Sequence, residues 1–256
     1  MFAVYRKEMR SYFINPIGYI YLGVFLVFSA VLCCYTTLFS RSYDTSSYFI
    51  ILIFALIILI PILTMRLFAE ERKLRTEQLL LTAPISITGM VLGKYFAALT
   101  IYVGGLLASC LNFLPLYIIG AAERANAELT SSHIGPVTGE IVGSLIALVF
   151  LGAALIAVGT LISALTENQL SAAIITIAVI AGMVCLNLLN SLTDSDGQAI
   201  IGSYAVRFVL DWVSILGRFA NFGSGIFDYA ALIYYASLAF IFLFLTVRVY
   251  EKRRWG

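Results

Sequence analysis

Uncharged, strongly apolar intervals alternate with short charged segments along most of this chain. Each interval reaches or approaches the roughly 20 residues that cross a bilayer as an α-helix. The pattern predicts six membrane spans: Ile17 to Phe39, Tyr48 to Met65, Tyr95 to Gly120, Ile141 to Leu165, Leu170 to Asn190 and Tyr229 to Val247. The predicted fold class is an all-α integral membrane protein, with residues 1–256 forming a single transmembrane domain.

The composition agrees with this pattern. The chain is 61% hydrophobic and only 12% charged, far from the average of soluble domains. Its formal net charge is +2, and no basic block is interleaved with aromatic residues, which argues against a nucleic-acid partner. We therefore expect membrane lipid, and no nucleic acid, around this protein.

The basic residues predict how the spans are oriented. Lys and Arg concentrate in short cytoplasmic loops of membrane proteins. With both termini inside, twelve of the sixteen basic residues fall on the cytoplasmic side, whereas the acidic residues divide six inside and eight outside. The sequence thus predicts a multi-pass protein of the cell (plasma or inner) membrane with cytoplasmic N- and C-termini.

Two segments outside the spans have helical periodicity. In residues 1–15, apolar side chains recur at helical spacing with basic side chains on another face, which predicts an amphipathic helix at the inner membrane surface. In residues 191–228, polar side chains recur at steps of four and three: Arg207, Asp211, Ser214, Arg218 and Asn221. Placing the three charges of this stripe in hydrocarbon would cost roughly 8–10 kcal/mol, so we predict an outer interfacial or re-entrant segment, either a helix or a short helical hairpin, rather than a seventh span.

The sequence shows no catalytic or metal-binding pattern. His133 is the only histidine and has no metal-ligand partners at suitable spacing. The segment Gly89 to Tyr95 lacks the spacing and the Ser or Thr of a phosphate-binding loop. We therefore expect no catalytic, cofactor-binding or metal-binding residue in this chain. Small residues of the fourth span, including Gly152 and Gly159, predict close helix packing, within the chain or across a dimer seam.

Charged residues crowd between the second and third spans, in residues 66–94. The pattern predicts that Arg66 to Thr82 continue the second span as a helix, that Pro84 interrupts it, and that Ser86 or Thr88 caps the next helix. These charges could form a solvated face. The apolar run at Leu79 to Leu81, however, favours a docking surface on a bent cytoplasmic elbow.

This elbow also resembles a known family. The stretch FAEERKLRTEQLLLTAPISITGMVLGKYFAA is similar to the signature of ABC-2-type exporter permeases, with its acidic pair, its Thr-Glu-x-Leu-Leu-Leu-Thr-x-Pro segment and its terminal Gly-Lys. The six-span plan and the segment LTENQLSAA resemble the same family, and the C-terminal stretch resembles its gliding-motility-type permease subunits. One departure is Arg75, because the common pattern has Gly before Thr76.

The resemblance implies a function. Two permease chains, identical or different, would form a translocation path, and separate ABC ATPase subunits holding ATP and Mg²⁺ would dock beneath them. The residues implied in this coupling are Glu70, Glu71, Arg72, Thr76, Glu77, Pro84, Thr166 and Glu167. The outer residues Arg207, Asp211 and Arg218 would either brace the outer side or contact the cargo, whose identity the sequence does not give.

Two other functions stay open at this point. The chain could be a membrane scaffold or assembly protein that binds a cytoplasmic partner, or an autonomous channel or carrier. The predicted spans contain essentially no ionisable residues, which argues against an ion-coupled carrier.

Overall fold

The computed structural model describes residues 1–40, 42–76, 86–126, 135–191 and 214–255. Its helices are α1 (Phe2–Ile14), α2 (Ile17–Cys33), α3 (Ser46–Thr64), α4 (Ala69–Lys73), α5 (Ile87–Ser109), α6 (Leu114–Asn126), α7 (Thr138–Leu165), α8 (Gln169–Ser191), α9 (Ile215–Gly223) and α10 (Tyr229–Trp255). A π-helix, Cys34–Phe39, extends α2, and a short 3₁₀-helix, Cys110–Phe113, joins α5 to α6. The described part of the chain contains no strand, so the all-α prediction is confirmed.

Within the described ranges, six apolar helices are long enough to cross a membrane: Ile17–Phe39, Ser46–Lys73, Ile87–Ala125, Thr138–Leu165, Gln169–Leu186 and Tyr229–Arg254. The six predicted spans are therefore confirmed, and the first and fourth agree with the observed helices to within a few residues. The largest difference is at the third span, where the helix begins at Ile87 rather than at Tyr95. The chain is a multi-pass membrane protein.

Helix α7 lies at the centre of the bundle and packs against α3, α5, α8, α9 and α10. Two of its glycines make this possible. A Cβ atom on Gly152 would collide with the Tyr102 ring of α5, and one on Gly159 would collide with Thr64 of α3. These glycines face helices of the same chain, so they serve close packing within the subunit and not a dimer seam.

The bundle has two distinct ends. We call the first the α1 end: it carries α1, α4, the turn at residues 166–168 and the C-terminal turns of α10. At the opposite end, Ser46 of α3 donates a hydrogen bond to the carbonyl of Gly223 in α9 (2.6 Å). There too, Ser144 of α7 donates to Phe222 (3.4 Å) and Tyr235 of α10 to Ile215 (2.8 Å).

Candidate functional site at the α1 end

Helix α4 is separated from α3 by a turn over residues 65–68. The hydroxyl oxygen of Ser163, on α7, accepts hydrogen bonds from the backbone N–H groups of Phe68 (3.1 Å) and Ala69 (3.2 Å) and donates one to the Met65 carbonyl (3.2 Å). These three bonds satisfy backbone groups that the break between the two helices leaves unpaired. Ser163 is fully buried, so α7 fixes the direction in which α4 leaves the bundle.

Charge placement within α4 suits a short helix. Glu70 and Glu71 occupy its first turn, and Arg72 and Lys73 its last. This order complements the helix dipole, which is positive at the N-terminus and negative at the C-terminus.

Helix α4 ends in a Schellman motif. The N–H of Thr76 donates to the Glu71 carbonyl (2.9 Å), and the N–H of Arg75 donates to the Arg72 carbonyl (3.0 Å). Arg75 has a φ of 56°, the left-handed conformation that this motif requires and that glycine adopts without a steric penalty. Arg75 is also the position at which the family pattern has glycine, so the backbone keeps the shape that the pattern predicts despite the larger side chain.

The predicted helix from Arg66 to Thr82 lies partly outside the described residues, at 77–82, but over residues 66–76 the predicted continuous helix is wrong. It is interrupted at residues 65–68 and ends at Lys73, because a residue in the left-handed conformation cannot continue a right-handed helix. At the other side of the elbow the prediction holds for Ser86, whose hydroxyl oxygen accepts a hydrogen bond from Gly89 N–H (3.3 Å) and caps α5.

An ionic cluster joins α4 to two other helices. Lys94, in the second turn of α5, is only 1% exposed, and its Nζ contacts the Oε1 atoms of Glu8 on α1 (2.8 Å) and of Glu71 on α4 (2.9 Å). Lys7 of α1 contacts the same Glu71 oxygen (3.0 Å) and lies 3.6 Å from Glu8. The Lys94 ammonium also lies 5.3 Å from the centre of the Phe68 ring. We call Lys7, Glu8, Glu71 and Lys94 the ionic cluster.

Within the ionic cluster, the surroundings of Lys7 favour its charged form. Burial opposes the charge of Lys7, but the neighbouring carboxylates of Glu71 and Glu8 outweigh this effect and raise the pKa of Lys7 above its usual value. Two lysines face two glutamates, so the described cluster is neutral as a whole, as a buried group of charges must nearly be.

Arg66, in the turn before α4, forms an ion pair with α4 and a cation–π contact with α1. The Nε atom of Arg66 donates to Glu70 Oε2 (2.9 Å), and its guanidinium lies 5.6 Å from the centre of the Tyr12 ring. The Tyr12 hydroxyl donates to the Leu63 carbonyl at the end of α3 (3.0 Å), and burial raises the pKa of this phenol, which stays neutral.

The elbow also meets the α7–α8 turn. Arg72 donates to Glu167 Oε1 (2.8 Å) and to the Leu165 carbonyl (3.2 Å). The Thr166 hydroxyl donates to the Ile162 carbonyl in the last turn of α7 (3.0 Å). This hydrogen bond stabilises the C-terminal end of α7 and does not involve α4.

The C-terminal turns of α10 close the same end. The Phe68 and Tyr250 rings pack with centroids 4.9 Å apart, and Arg253 donates to the Ala164 carbonyl (2.7 Å). The segment around α4 is thus held by α1, α5, α7 and α10.

The structure brings most of the predicted elbow residues together. Glu70, Glu71, Arg72 and Thr76 lie on or just after α4, and Thr166 and Glu167 lie beside it. Glu77 and Pro84 lie outside the described residues, as do Arg207 and Asp211. Arg218 is on α9 at the opposite end, where its guanidinium lies 4.3 Å from the centre of the Tyr234 ring.

Helix α9 occupies part of the predicted outer segment. Its N-cap is Ser214, whose hydroxyl oxygen accepts a hydrogen bond from Gly217 N–H (3.0 Å). The polar stripe through Ser214 therefore does not belong to one continuous helix. Buried side chains of α9, including Phe219 and Phe222, face the bundle, where the helix packs against α3, α7 and α8.

Exposure separates the elbow residues into two groups. The side chain of Glu71 is only 14% exposed because the ionic cluster surrounds it, whereas that of Glu167 is 81% exposed. Leu74, which the sequence did not single out, is 64% exposed beside the end of α4. Leu74 and Glu167 are therefore exposed side chains of this segment that another protein could reach.

Sequence reasoning missed Glu8, Lys94 and Ser163. The terminal Gly-Lys of the elbow pattern was a signal for Lys94, but the position was placed just outside the third span and given no role. Glu8 is the one acidic residue in α1, and that placement was a second signal. No group of three or more His, Cys, Asp or Glu residues in the described ranges could hold a metal ion.

Comparison with known families now identifies this membrane bundle. A family model described as ABC-2 family transporter protein matches residues 34–204, about two thirds of the chain. The chain belongs to the ABC-2 transporter family. No curated protein matches it. As an ABC-2 permease, it is the membrane subunit of an ABC transporter and is not itself catalytic; such permeases normally pair with an ATPase subunit.

Proposed function

We propose that this ABC-2 permease is the membrane subunit of an ATP-driven exporter, forms the translocation path as a dimer, and is coupled through its elbow to separate nucleotide-binding subunits. ATP and Mg²⁺ bind in those subunits. The elbow residues described above then act in coupling rather than in chemistry.

The observation that carries this proposal is the attachment of α4. It contacts α1 and α5 through the ionic cluster, α7 through Ser163, and the α7–α8 turn through Arg72. A partner that displaces α4 must therefore displace or release these helices as well. ATP binding can bias the membrane helices only through contacts that differ between two states, and such bridging contacts are suited to differ.

The exposure of the elbow residues divides them into those that a partner can contact and those that hold the elbow in place. Leu74 and Glu167 are available to a docked ATPase, and Arg72 orients Glu167 beside α4. Glu71 is a positioning residue, because its carboxylate is engaged by Lys7 and Lys94. Replacing Glu71 with Lys would thus break the ionic cluster as well as any docking, and an exposed residue is the sharper test.

The proposed orientation supports the same assignment. The basic residues that predict cytoplasmic segments include those of α1, α4 and the end of α10, all of which the structure gathers at the α1 end. The ATPase would dock at that end. The packing of α9 against the bundle supports the proposal that this segment braces the outer side. It does not require Arg207, Asp211 or Arg218 to contact the cargo.

The test uses Leu74→Asp, with Ile226→Asp as the matched control. Ile226 is 62% exposed and lies at the opposite end, so the two changes introduce the same charge at positions of similar exposure. The chain is co-purified with its candidate ATPase, and ATP hydrolysis is measured in lipid nanodiscs. We expect Leu74→Asp to reduce complex recovery or permease-dependent hydrolysis at least about tenfold, the loss of one interface anchor worth roughly 2 kcal/mol, and Ile226→Asp to leave both nearly unchanged.

The other outcomes identify the alternatives. Equal effects of the two substitutions contradict coupling through the elbow. A stable complex without permease-dependent hydrolysis favours a scaffold, and solute transport by the purified chain alone favours an autonomous channel or carrier.

Single cysteines test the orientation independently. In a background without the four native cysteines, a cysteine at Leu74 should react with a membrane-impermeant maleimide only after the cells are permeabilised, and a cysteine at Ile226 should react in intact cells. The reverse labelling pattern would contradict the proposed orientation.

A further inference from the structure

We propose that the outward face of α1 is a binding surface for acidic phospholipid headgroups of the leaflet at the α1 end. This inference rests on the proposed orientation but not on ATPase coupling. It concerns side chains of α1 that the ionic cluster does not use.

Two contacts fix how α1 is rotated about its own axis. Its buried side chains are Val4, Glu8 and Tyr12, which recur every four residues, and the carboxylate of Glu8 faces Lys94. The Tyr5 hydroxyl lies 3.1 Å from the hydroxyl of Thr100, which is six positions further along α5 than Lys94. Six helical positions correspond to about 9 Å, so the Tyr5 side of α1 faces the membrane core.

The remaining faces follow from the helical repeat. At about 100° per residue, Phe2 and Phe13 lie about 120–140° from Glu8 on the same side as Tyr5, and Arg6 and Arg10 lie about 160–200° from it. Lys7 lies beyond them at about 260°, where it reaches Glu71. The two arginines thus stand at the border between the membrane-facing aromatic side and the side occupied by the elbow.

This border is at the depth of lipid headgroups. Phe2, Phe13, Arg6 and Arg10 are all exposed. The aromatic rings suit the boundary between headgroups and acyl chains, and arginine binds phosphate oxygens with two parallel hydrogen bonds. The charge of the surface selects the occupant: two arginines on this face favour a phospholipid with net negative charge over a zwitterionic one.

The experiment measures lipid binding to the purified full-length chain. Native mass spectrometry with added phosphatidylglycerol or phosphatidylcholine gives the affinity for each lipid. One double variant carries Arg6→Gln and Arg10→Gln. The matched control carries Lys252→Gln and Arg254→Gln, which removes two exposed positive charges from α10 at the same end.

A basic side chain near an anionic surface contributes about fivefold in affinity. We therefore expect phosphatidylglycerol to bind wild-type at least about tenfold more tightly than phosphatidylcholine, and the α1 double variant to lose about tenfold or more of its phosphatidylglycerol affinity. The α10 control should lose less than about threefold, and Arg6→Lys with Arg10→Lys should retain most of the preference. Thermal unfolding of each variant shows whether the fold is kept.

Three results would overturn the proposal. These are equal affinity for the two lipids, equal losses in the α1 and α10 double variants, and displacement of phosphatidylglycerol by inorganic phosphate at millimolar concentration, which would indicate a simple anion site. None of these results depends on an ATPase, so they are distinguishable from a failure of the proposed coupling.

Discussion

The two ends of the bundle join their helices by different means. At the α1 end, α1, α4 and α5 meet through buried charges, with Lys94 between Glu8 and Glu71. At the opposite end, α9 is joined to α3, α7 and α10 by hydroxyl groups that donate to backbone carbonyls, as Ser46 does to Gly223 and Tyr235 to Ile215. Buried charges therefore join α1 and α4 to α5 at one end, whereas hydroxyl-to-carbonyl hydrogen bonds attach α9 at the other.

The difference matters because the two kinds of contact respond differently to movement. A hydroxyl bonded to one carbonyl fixes one position, and losing it leaves one polar group unpaired. A lysine between two carboxylates can keep one partner while it releases the other, provided that the charge stays compensated. Buried charges contribute little net stability. A role in switching between two arrangements of the helices therefore explains the ionic cluster better than a role in stability does.

The largest expected effect tests the charged end. Lys94→Met should leave Glu8 and Glu71 in a buried site with Lys7 as their only partner in the ionic cluster. Removing one member of a buried charge group costs about 3–5 kcal/mol. We expect a large fall in the thermal unfolding temperature of the purified protein, measured by intrinsic tryptophan fluorescence.

Two companion variants show whether charge is the cause. Lys252→Met removes an exposed lysine at the same end and should change stability by less than about 0.5 kcal/mol. Adding Glu8→Gln to Lys94→Met restores neutrality, so the double variant should be less destabilised than the sum of the single changes. A strictly additive result would mean that Lys94 acts through packing, and the contrast between the two ends would then be lost.

The next effect belongs to the opposite end. Tyr235→Phe removes the hydroxyl that donates to the Ile215 carbonyl at 2.8 Å in a buried site. Leaving that carbonyl unsatisfied should cost about 1–3 kcal/mol, less than the loss of Lys94. Tyr229→Phe, at a tyrosine that is 71% exposed on the same helix, is the control and should cost almost nothing. A loss at Tyr235 as large as that at Lys94 would show that the hydrogen bonds of α9 constrain the opposite end equally.

The spans were predictable because hydropathy depends on consecutive residues, and the uncharged intervals are long. The same rule failed at Lys94. A helix capped by Ser86 or Thr88 was predicted, but the charge of Lys94 was taken to mark the boundary of the membrane span, which was begun at Tyr95; in the structure the apolar helix runs without a break from Ile87. The partners that allow Lys94 to be buried are Glu71 and Glu8, the latter 86 positions away, and a hydropathy pattern along the chain contains no information about these contacts.

The elbow shows a second limit. The acidic pair and the capping Ser86 were visible in the sequence, but the end of α4 at Lys73 was not, because its usual signal is a glycine at C′ and this chain has Arg75 there. The contacts of Ser163 with Phe68 and Ala69 were equally invisible, since a serine within an apolar span most often bonds to its own helix. Geometry at a helix end can thus persist after the residue that signals it has changed.

The smallest expected effect isolates that helix end. The left-handed conformation of Arg75 costs a residue with a Cβ about 1–2 kcal/mol, and the greater chain entropy of glycine in the unfolded state offsets part of this. Arg75→Gly should therefore be more stable than Arg75→Ala by about 1 kcal/mol. Both variants lose the charge and the long side chain, so their difference in unfolding temperature reports the backbone alone. If Arg75→Gly is the less stable of the two, residue 75 does not hold the left-handed conformation in the protein, and α4 must end differently.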